Sequence, residues 1–305
     1  MDLARRLKPT QLRLLVKIAE SGKLQIAASA LNISQPAASR SLSDIEATFE
    51  TPLFQRLPKG MVPTLIGDAV LRHARSILNA FDNLDSEVEG LKLGQGGEIR
   101  VGSVTGPAVK CLVPAILKMK ETAPDIEPTF EVGPSVELVR GLEEGRFDFI
   151  LARLPYGYDS RAFHIQPAQW EVVSLVVHHS HPLAGHDAVR LQDLTRYDWV
   201  VQERGSPIRE AMENAFTEAG AHPPSKVINS SSLLVMLSLL ERSHTIAPLS
   251  EEVGALLTRQ TVAAELTLLN LDRVIQVSPY FIIRNRSQQL SRAAERLLKE
   301  VLLRL

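Results

Sequence analysis

The chain has 305 residues, 45% of them hydrophobic and 23% charged, with a formal net charge of −1. That balance excludes intrinsic disorder, and the length sets a prior of two domains. A single cysteine, Cys111, excludes an intrachain disulfide and any CxxC metal or redox motif, and suggests a reducing, cytoplasmic setting.

The charge is unevenly spread. Residues 1–60 carry nine basic side chains against five acidic ones, about +4, which leaves the remainder near −5. That suggests an anion-seeking front end on an acidic body. The spacing predicts a first helix over Pro9–Glu20, with Leu12, Leu15, Val16 and Ala19 on one face and Ser21-Gly22 ending it. A second helix is predicted over Leu24–Leu31, followed by a tight turn at Asn32-Ile33-Ser34. Ser34 is a natural N-cap for a third helix, and Pro36 falls in its first turn, where a missing N–H costs nothing. This helix runs to about Phe49. Ala38, Leu42, Ile45 and Phe49 form its inward stripe, and Gln35, Ser39, Arg40 and Ser43 lie opposite. "LFQRLPKGMVPT" reads as two short extended pieces joined at Lys59-Gly60, a hairpin or wing.

Val70, Ala74, Ile77, Phe81, Leu84, Val88 and Leu91 then recur at alternating spacings of four and three, a heptad seam. A helix from about Leu65 to Leu93 with so narrow an apolar stripe calls for a partner helix, from a second copy of the chain, the favoured reading, or from an intrachain bundle. "GQGG", residues 94–97, is a linker. Beyond it strands and helices alternate. "EIRVGSV", "IEPTFEVG", "FDFILAR", "WEVVSLVVH" and "DWVVQE" are predicted strands, and repeated βαβ units predict parallel sheets flanked by helices. Ligands of such sheets sit beyond the carboxyl ends of the strands. The most apolar runs are shorter than the ~20 residues that cross a bilayer, and the N-terminus lacks the apolar core of a signal peptide. No membrane partner is expected.

The order of helix–turn–helix, wing, long helix and α/β body resembles the LysR-type transcriptional regulators over essentially the whole chain. The most specific part is "AASALNISQPAASRSLSDIEATFETPLFQR", Ala27 to Arg56. The resemblance implies a winged helix–turn–helix DNA-binding domain at 1–64 and a linker and dimerisation helix with its hinge at 65–96. It also implies an effector-binding domain at 97–305, like a periplasmic binding protein. That domain would have subdomain I at 97–165 and 270–305, subdomain II at 166–269, and two crossing strands as a hinge. A homotetramer, double-stranded DNA and a small-molecule effector are the implied partners.

The recognition helix of such a motif enters the major groove and reads bases with its N-terminal residues. Gln35 can pair with adenine, Arg40 can reach guanine or phosphate, and Ser34, Ser39 and Ser43 can bond to either. Pro36 offers an apolar edge to a thymine methyl. Arg56 and Lys59 in the wing are candidate phosphate contacts. For Ser34, helix capping alone would also explain the residue.

Candidate effector contacts lie at strand-to-helix junctions. Ser103 and Thr105 follow the first strand of the body, Pro134-Ser135 the second, and Arg153 ends the third. Gln202, Arg204 and Ser206 fall in "QERGS", and Ser231 in "NSSS". Arginine at a strand end commonly clamps carboxylates, whereas each serine could equally be a helix cap. The set suggests an anionic or polyhydroxylated metabolite, such as a sugar or an aromatic acid. His178, His179, His181 and His186 lack a recognisable metal-ligand spacing, so no metal is expected. With no nucleotide loop, nucleophile motif or cofactor signature, the chain is read as a regulator rather than an enzyme. A solute-binding or sensor protein that does not read DNA is the rival reading.

Overall fold

The computed structural model describes residues 7–92, 97–259 and 265–305; the side chains at 83, 86, 87 and 89–92 lie outside that description. One compact unit holds the described residues up to Arg100 with 125–127 and 140–148. A second holds 101–124, 128–139 and the described remainder from Phe149.

The first unit begins with α1 (Pro9–Ser21), α2 (Leu24–Ala30) and α3 (Gln35–Phe49), followed by β1 (Phe54–Leu57) and β2 (Gly60–Pro63). Proline opens α1, and Gly22 closes it in the left-handed conformation at φ 65°, donating its N–H to Ile18. Leu12, Leu15 and Ile18 meet Ala27, Ala28, Ala38, Leu42 and Ile45 in one buried core, where the three alanines allow close helix approach. Asn32 turns the chain at φ 54°, and the Ser34 hydroxyl accepts the Ala37 N–H at 3.3 Å, capping α3.

The wing is tied down at both ends. Glu46 of α3 accepts backbone N–H bonds from Leu53 (2.8 Å) and Phe54 (3.3 Å). Met61 donates to the Gly22 carbonyl at 2.7 Å. Gly60, at φ +135°, passes so near that a Cβ there would lie 2.6 Å from the Gly22 oxygen.

The long helix α4 (Leu65–Lys92) divides its heptad stripe between two jobs. Leu71 and Ala74 are buried in the core of the three-helix domain, and Val70 packs against it. Ala74, 1% exposed inside its own domain, is covered there rather than by a second copy, contrary to the sequence expectation, while Val70 is half-buried against the same core. Ile77, Phe81, Leu84 and Val88 remain exposed, Phe81 at 48% and Leu84 at 58%. The Leu91 side chain lies outside the described residues. Arg75 of α4 pairs with Glu144 at 3.2 Å, and Asn79 donates to the Glu144 carbonyl.

The body is built on two larger sheets and a two-stranded one rather than on parallel sheets alone. β3 (Glu98–Ser103), β4 (Glu127–Val132), β5 (Phe149–Ala152), β6 (Phe163–Pro167) and β13 (Phe281–Asn285) form a five-stranded sheet in the order β4-β3-β5-β13-β6. β3 and β5 run parallel, while β13 is antiparallel to both of its neighbours. In the second sheet β7 (Glu171–His178) pairs antiparallel with β10 (Ala247–Ser250), β11 (Leu266–Leu268) and β12 (Gln276–Val277). Beside it β8 (Trp199–Val201) and β9 (Val227–Asn229) run parallel. The chain crosses twice between the two larger sheets, and the two crossings are bonded to each other. Ala168 donates to the Tyr280 carbonyl at 3.2 Å, and Tyr280 to that of Gln169 at 3.0 Å.

The helix that follows β3 is interrupted. It starts at Thr105–Pro107, passes through a π-helical turn at Ala108–Leu112, and becomes α5 (Val113–Thr122). Pro114 lacks the N–H that would bond to residue 110, so the local ladder must shift there. Cys111 is fully buried beneath this turn, and its sulfur lies 3.7 Å from the Tyr280 hydroxyl. Burial pushes its thiol pKa up, which disfavours the reactive thiolate. Iodoacetamide is expected to leave Cys111 unlabelled in the native protein and to label it fully in guanidinium. Stoichiometric native labelling by mass spectrometry would refute that burial.

Candidate functional site

On the candidate DNA-reading side, Ser34, Gln35, Pro36, Arg40 and Ser43 are exposed along the first three turns of α3, and Ser39 is half-buried. They lie opposite Ala38, Leu42 and Ile45, which are buried. Small residues at Ala37, Ser39 and Ser43 leave little bulk between the helix axis and a groove. Ser43 donates its hydroxyl hydrogen to the Ser39 carbonyl at 3.0 Å, so it faces outward mainly as an acceptor. Arg56 lies in β1, opposite Met61, and Lys59 sits at the wing tip; both are exposed.

The candidate effector residues fall into two groups. The first surrounds the crossing strands. Arg153, just after β5, does not extend an open guanidinium, contrary to the sequence expectation. Its Nε donates to the Ser278 carbonyl (2.9 Å) and hydroxyl (3.2 Å), and its Nη2 pairs with the Glu171 carboxylate. The two side chains are only 12% and 4% exposed. Ser135 accepts the Arg153 backbone N–H at 3.1 Å, so its hydroxyl positions the β5 end. Pro134 is exposed and accepts from the Glu137 N–H in the first turn of α6 (Ser135–Glu143). The other Glu171 oxygen lies against Gly106, where a Cβ would stand 2.1 Å from Oε1 and 2.9 Å from the Ser250 hydroxyl. Among the described residues, Ser250 Oγ is buried without a partner. Ser103 is fully buried and donates its hydroxyl to the Val104 carbonyl at 2.9 Å; Thr105 is exposed.

The second group gathers at the carboxyl ends of β8 and β9. Arg209, in α7 (Pro207–Glu218), donates through Nη1 to the Gln202 carbonyl (3.1 Å) and to Asn229 Oδ1 (2.7 Å), and through Nε to Glu213 (2.8 Å). The amide oxygen of Gln202 is buried and unpartnered among the described residues. Arg204 is exposed. Ser206 caps α7 by accepting the Arg209 N–H at 3.3 Å. At α8 (Leu233–Leu240) the cap is Ser232, not Ser231, which stands exposed beside it.

Sequence reasoning passed over Glu171, Ser250, Gly106 and Arg209. Glu171 carried a usable signal, a lone acid inside the apolar run "WEVVSLVV" at a phase that alternation marks as buried. A buried charge needs a partner, and Arg153 supplies it. Ser250 and Arg209 carried no comparable local mark.

An exposed polar helix face beside a basic wing, followed by a long helix and an α/β body, is the arrangement of a DNA-binding regulator with a separate ligand-binding body. The comparisons specify the class further. Residues 9–68 match the bacterial regulatory helix–turn–helix model of the lysR family, and residues 92–304 match the LysR substrate-binding domain. The chain belongs to the LysR family of transcriptional regulators and is not an enzyme. It is 40% identical to the HTH-type transcriptional regulator GbpR of Rhizobium radiobacter, over 82% of this chain and 84% of that one. It is 31% identical to GbpR of Azospirillum brasilense, over 96% and 85%. Its fold is similar to that of CbnR solved in complex with its target DNA, with a TM-score of 0.69 at 20% identity, covering 98% of this chain and all of that one.

Proposed function

We propose that this regulator reads duplex DNA with Ser34, Gln35, Pro36, Ser39, Arg40 and Ser43, and holds phosphates with Arg56 and Lys59. It acts in the cytoplasm as a dimer paired through Ile77, Phe81, Leu84 and Val88, and as a tetramer of such dimers. The two sheets are its two effector subdomains, with the crossings near Ala168 and Tyr280 as the hinge. Its effector is an uncharged, polyhydroxylated metabolite of sugar size, bound between the subdomains near Thr105, Gln202 and Ser250.

One observation carries the choice of effector: the Glu171 carboxylate already occupies Arg153 and lies against Gly106. An incoming carboxylate would meet a guanidinium that is already paired, beside a like charge whose repulsion is large at low dielectric. Hydroxyl groups can instead donate to Glu171 and exchange bonds with the unpartnered Ser250 hydroxyl. Closing the subdomains on such a ligand shifts a population already present in the free protein.

The test is a thermal-shift series with neutral sugars and polyols on one side and sugar acids and aromatic acids on the other. At ~100 times Kd a ligand adds ~2.7 kcal/mol, roughly 5–10 °C for a body of this size. Stabilisation confined to neutral ligands is expected. Stabilisation by carboxylates alone, lost in Arg153→Ala, would overturn the assignment.

A further inference from the structure

The end of β7 carries a side-chain cluster that neither DNA reading nor effector binding uses. His178, His179 and Glu265 bring one ligand atom each to within 4.8 Å of one another. The His179 Nδ1 lies 2.7 Å from Glu265 Oε2, and the His178 Nε2 lies 3.9 Å from the same oxygen. We propose that these three side chains form a binding site for a divalent transition-metal ion of zinc type, bound through His178 Nε2, His179 Nδ1 and Glu265 Oε2. One coordination position is left to water.

The geometry is near what such an ion requires. With metal–ligand distances of ~2.0–2.2 Å and tetrahedral angles, ligand atoms stand roughly 3.3–3.5 Å apart. Two of the three separations, 2.7 and 3.9 Å, lie on either side of that value, and the third is within 4.8 Å. His179 Nδ1 also lies 3.2 Å from the Glu265 carbonyl, a contact that metal binding would replace. Small side-chain rotations reach the tetrahedral spacing, and the backbone is pinned. Leu266 of β11 pairs with His178, and the His179 N–H donates to the Glu265 carbonyl at 2.7 Å. The donor set of two imidazoles and one carboxylate selects zinc, nickel or copper over magnesium or calcium, which prefer oxygen ligands.

A supporting layer stands behind His178. Its Nδ1 lies 2.7 Å from the Ser180 hydroxyl, which lies 3.3 Å from His244 Nε2. Nδ1 also receives the Ser180 N–H at 3.2 Å, so Ser180 holds the His178 ring through its backbone as well as its hydroxyl. An outer hydrogen bond of this kind fixes the tautomer and orientation of a metal-binding imidazole. The site is distinct from the effector corner, which uses other residues of β7, and His181 and His186 are outside it.

Isothermal titration of zinc chloride into tag-free full-length protein, in a buffer without chelating components, tests the site. One zinc per chain is expected. Glu265→Gln and His179→Ala should weaken binding by ~10-fold or more, and Ser180→Ala by ~10-fold. His186→Ala should change nothing, and magnesium should give no heat. Glu265 and His179 are surface groups, and unchanged circular dichroism establishes that the variants fold. Absence of zinc binding to the wild type, or binding of equal strength in Glu265→Gln and His179→Ala, would overturn the proposal.

Discussion

Glutamate at Phe81 or Leu84 is expected to turn the protein into a monomer that is still folded. Both side chains are about half exposed in the single chain, so the substitution leaves each domain's own core intact. Against an apolar partner helix, the new carboxylate would be buried without a cation. Removing such a charge from water costs several kcal/mol. At ~3–5 kcal/mol the dissociation constant rises by roughly two to four decades. Light scattering at micromolar concentration reads the result directly. Glutamate at Ala74 should behave differently and unfold the DNA-binding domain, because Ala74 is 1% exposed inside that domain. A dimeric Phe81→Glu protein would refute the seam.

Arg153→Ala is expected to destabilise the effector body by ~3–5 kcal/mol, the usual cost of removing one partner of a buried ion pair. Solvent screening offers little relief, since the Glu171 side chain is only 4% exposed. For a body of about 200 residues this lowers Tm by roughly 6–20 °C. The double variant Arg153→Met/Glu171→Leu should recover much of the loss, because no charge is then left stranded. Thermal denaturation of the three proteins decides the matter. An Arg153→Ala protein as stable as the wild type would mean that the pair is solvated and that Glu171 does not fill the corner.

The parts legible in the sequence share one property: their signal is local. Ser34 before Pro36, the inward stripe of Ala38, Leu42 and Ile45, and the exposed run from Ile77 to Val88 all follow from positions a few residues apart. The helix periods and cap chemistry that produce them act over that same range. The exposed face of α3, the one proposed to read DNA, was therefore legible almost residue by residue as an exposed face. The effector corner was not. Arg153 was recognised as a strand-end arginine, but its partners Glu171 and Ser278 lie on two strands brought together only by the crossing between sheets. Two of the serine candidates are held by local chemistry: Ser103 bonds to its neighbour's carbonyl and Ser206 caps its own helix. Ser135 instead accepts the backbone N–H of Arg153 from across the sheet, and Ser231 stands exposed beside the cap Ser232. The heptad stripe shows a subtler failure. Periodicity marks which residues face something apolar, but not whether the partner is the chain's own domain, as for Ala74, or a second copy.

Fluorescence anisotropy on a duplex selected by the wild-type protein from a random-sequence library tests the central claim, that α3 reads DNA bases. Wild type should bind the selected duplex ~1000-fold or more tighter than a scrambled one at the same salt concentration. Gln35→Ala and Arg40→Ala should each lose ~1–3 kcal/mol on the selected duplex, roughly 5- to 150-fold, with dimerisation and melting temperature unchanged. Wild-type affinity for the selected duplex in both variants would contradict the account.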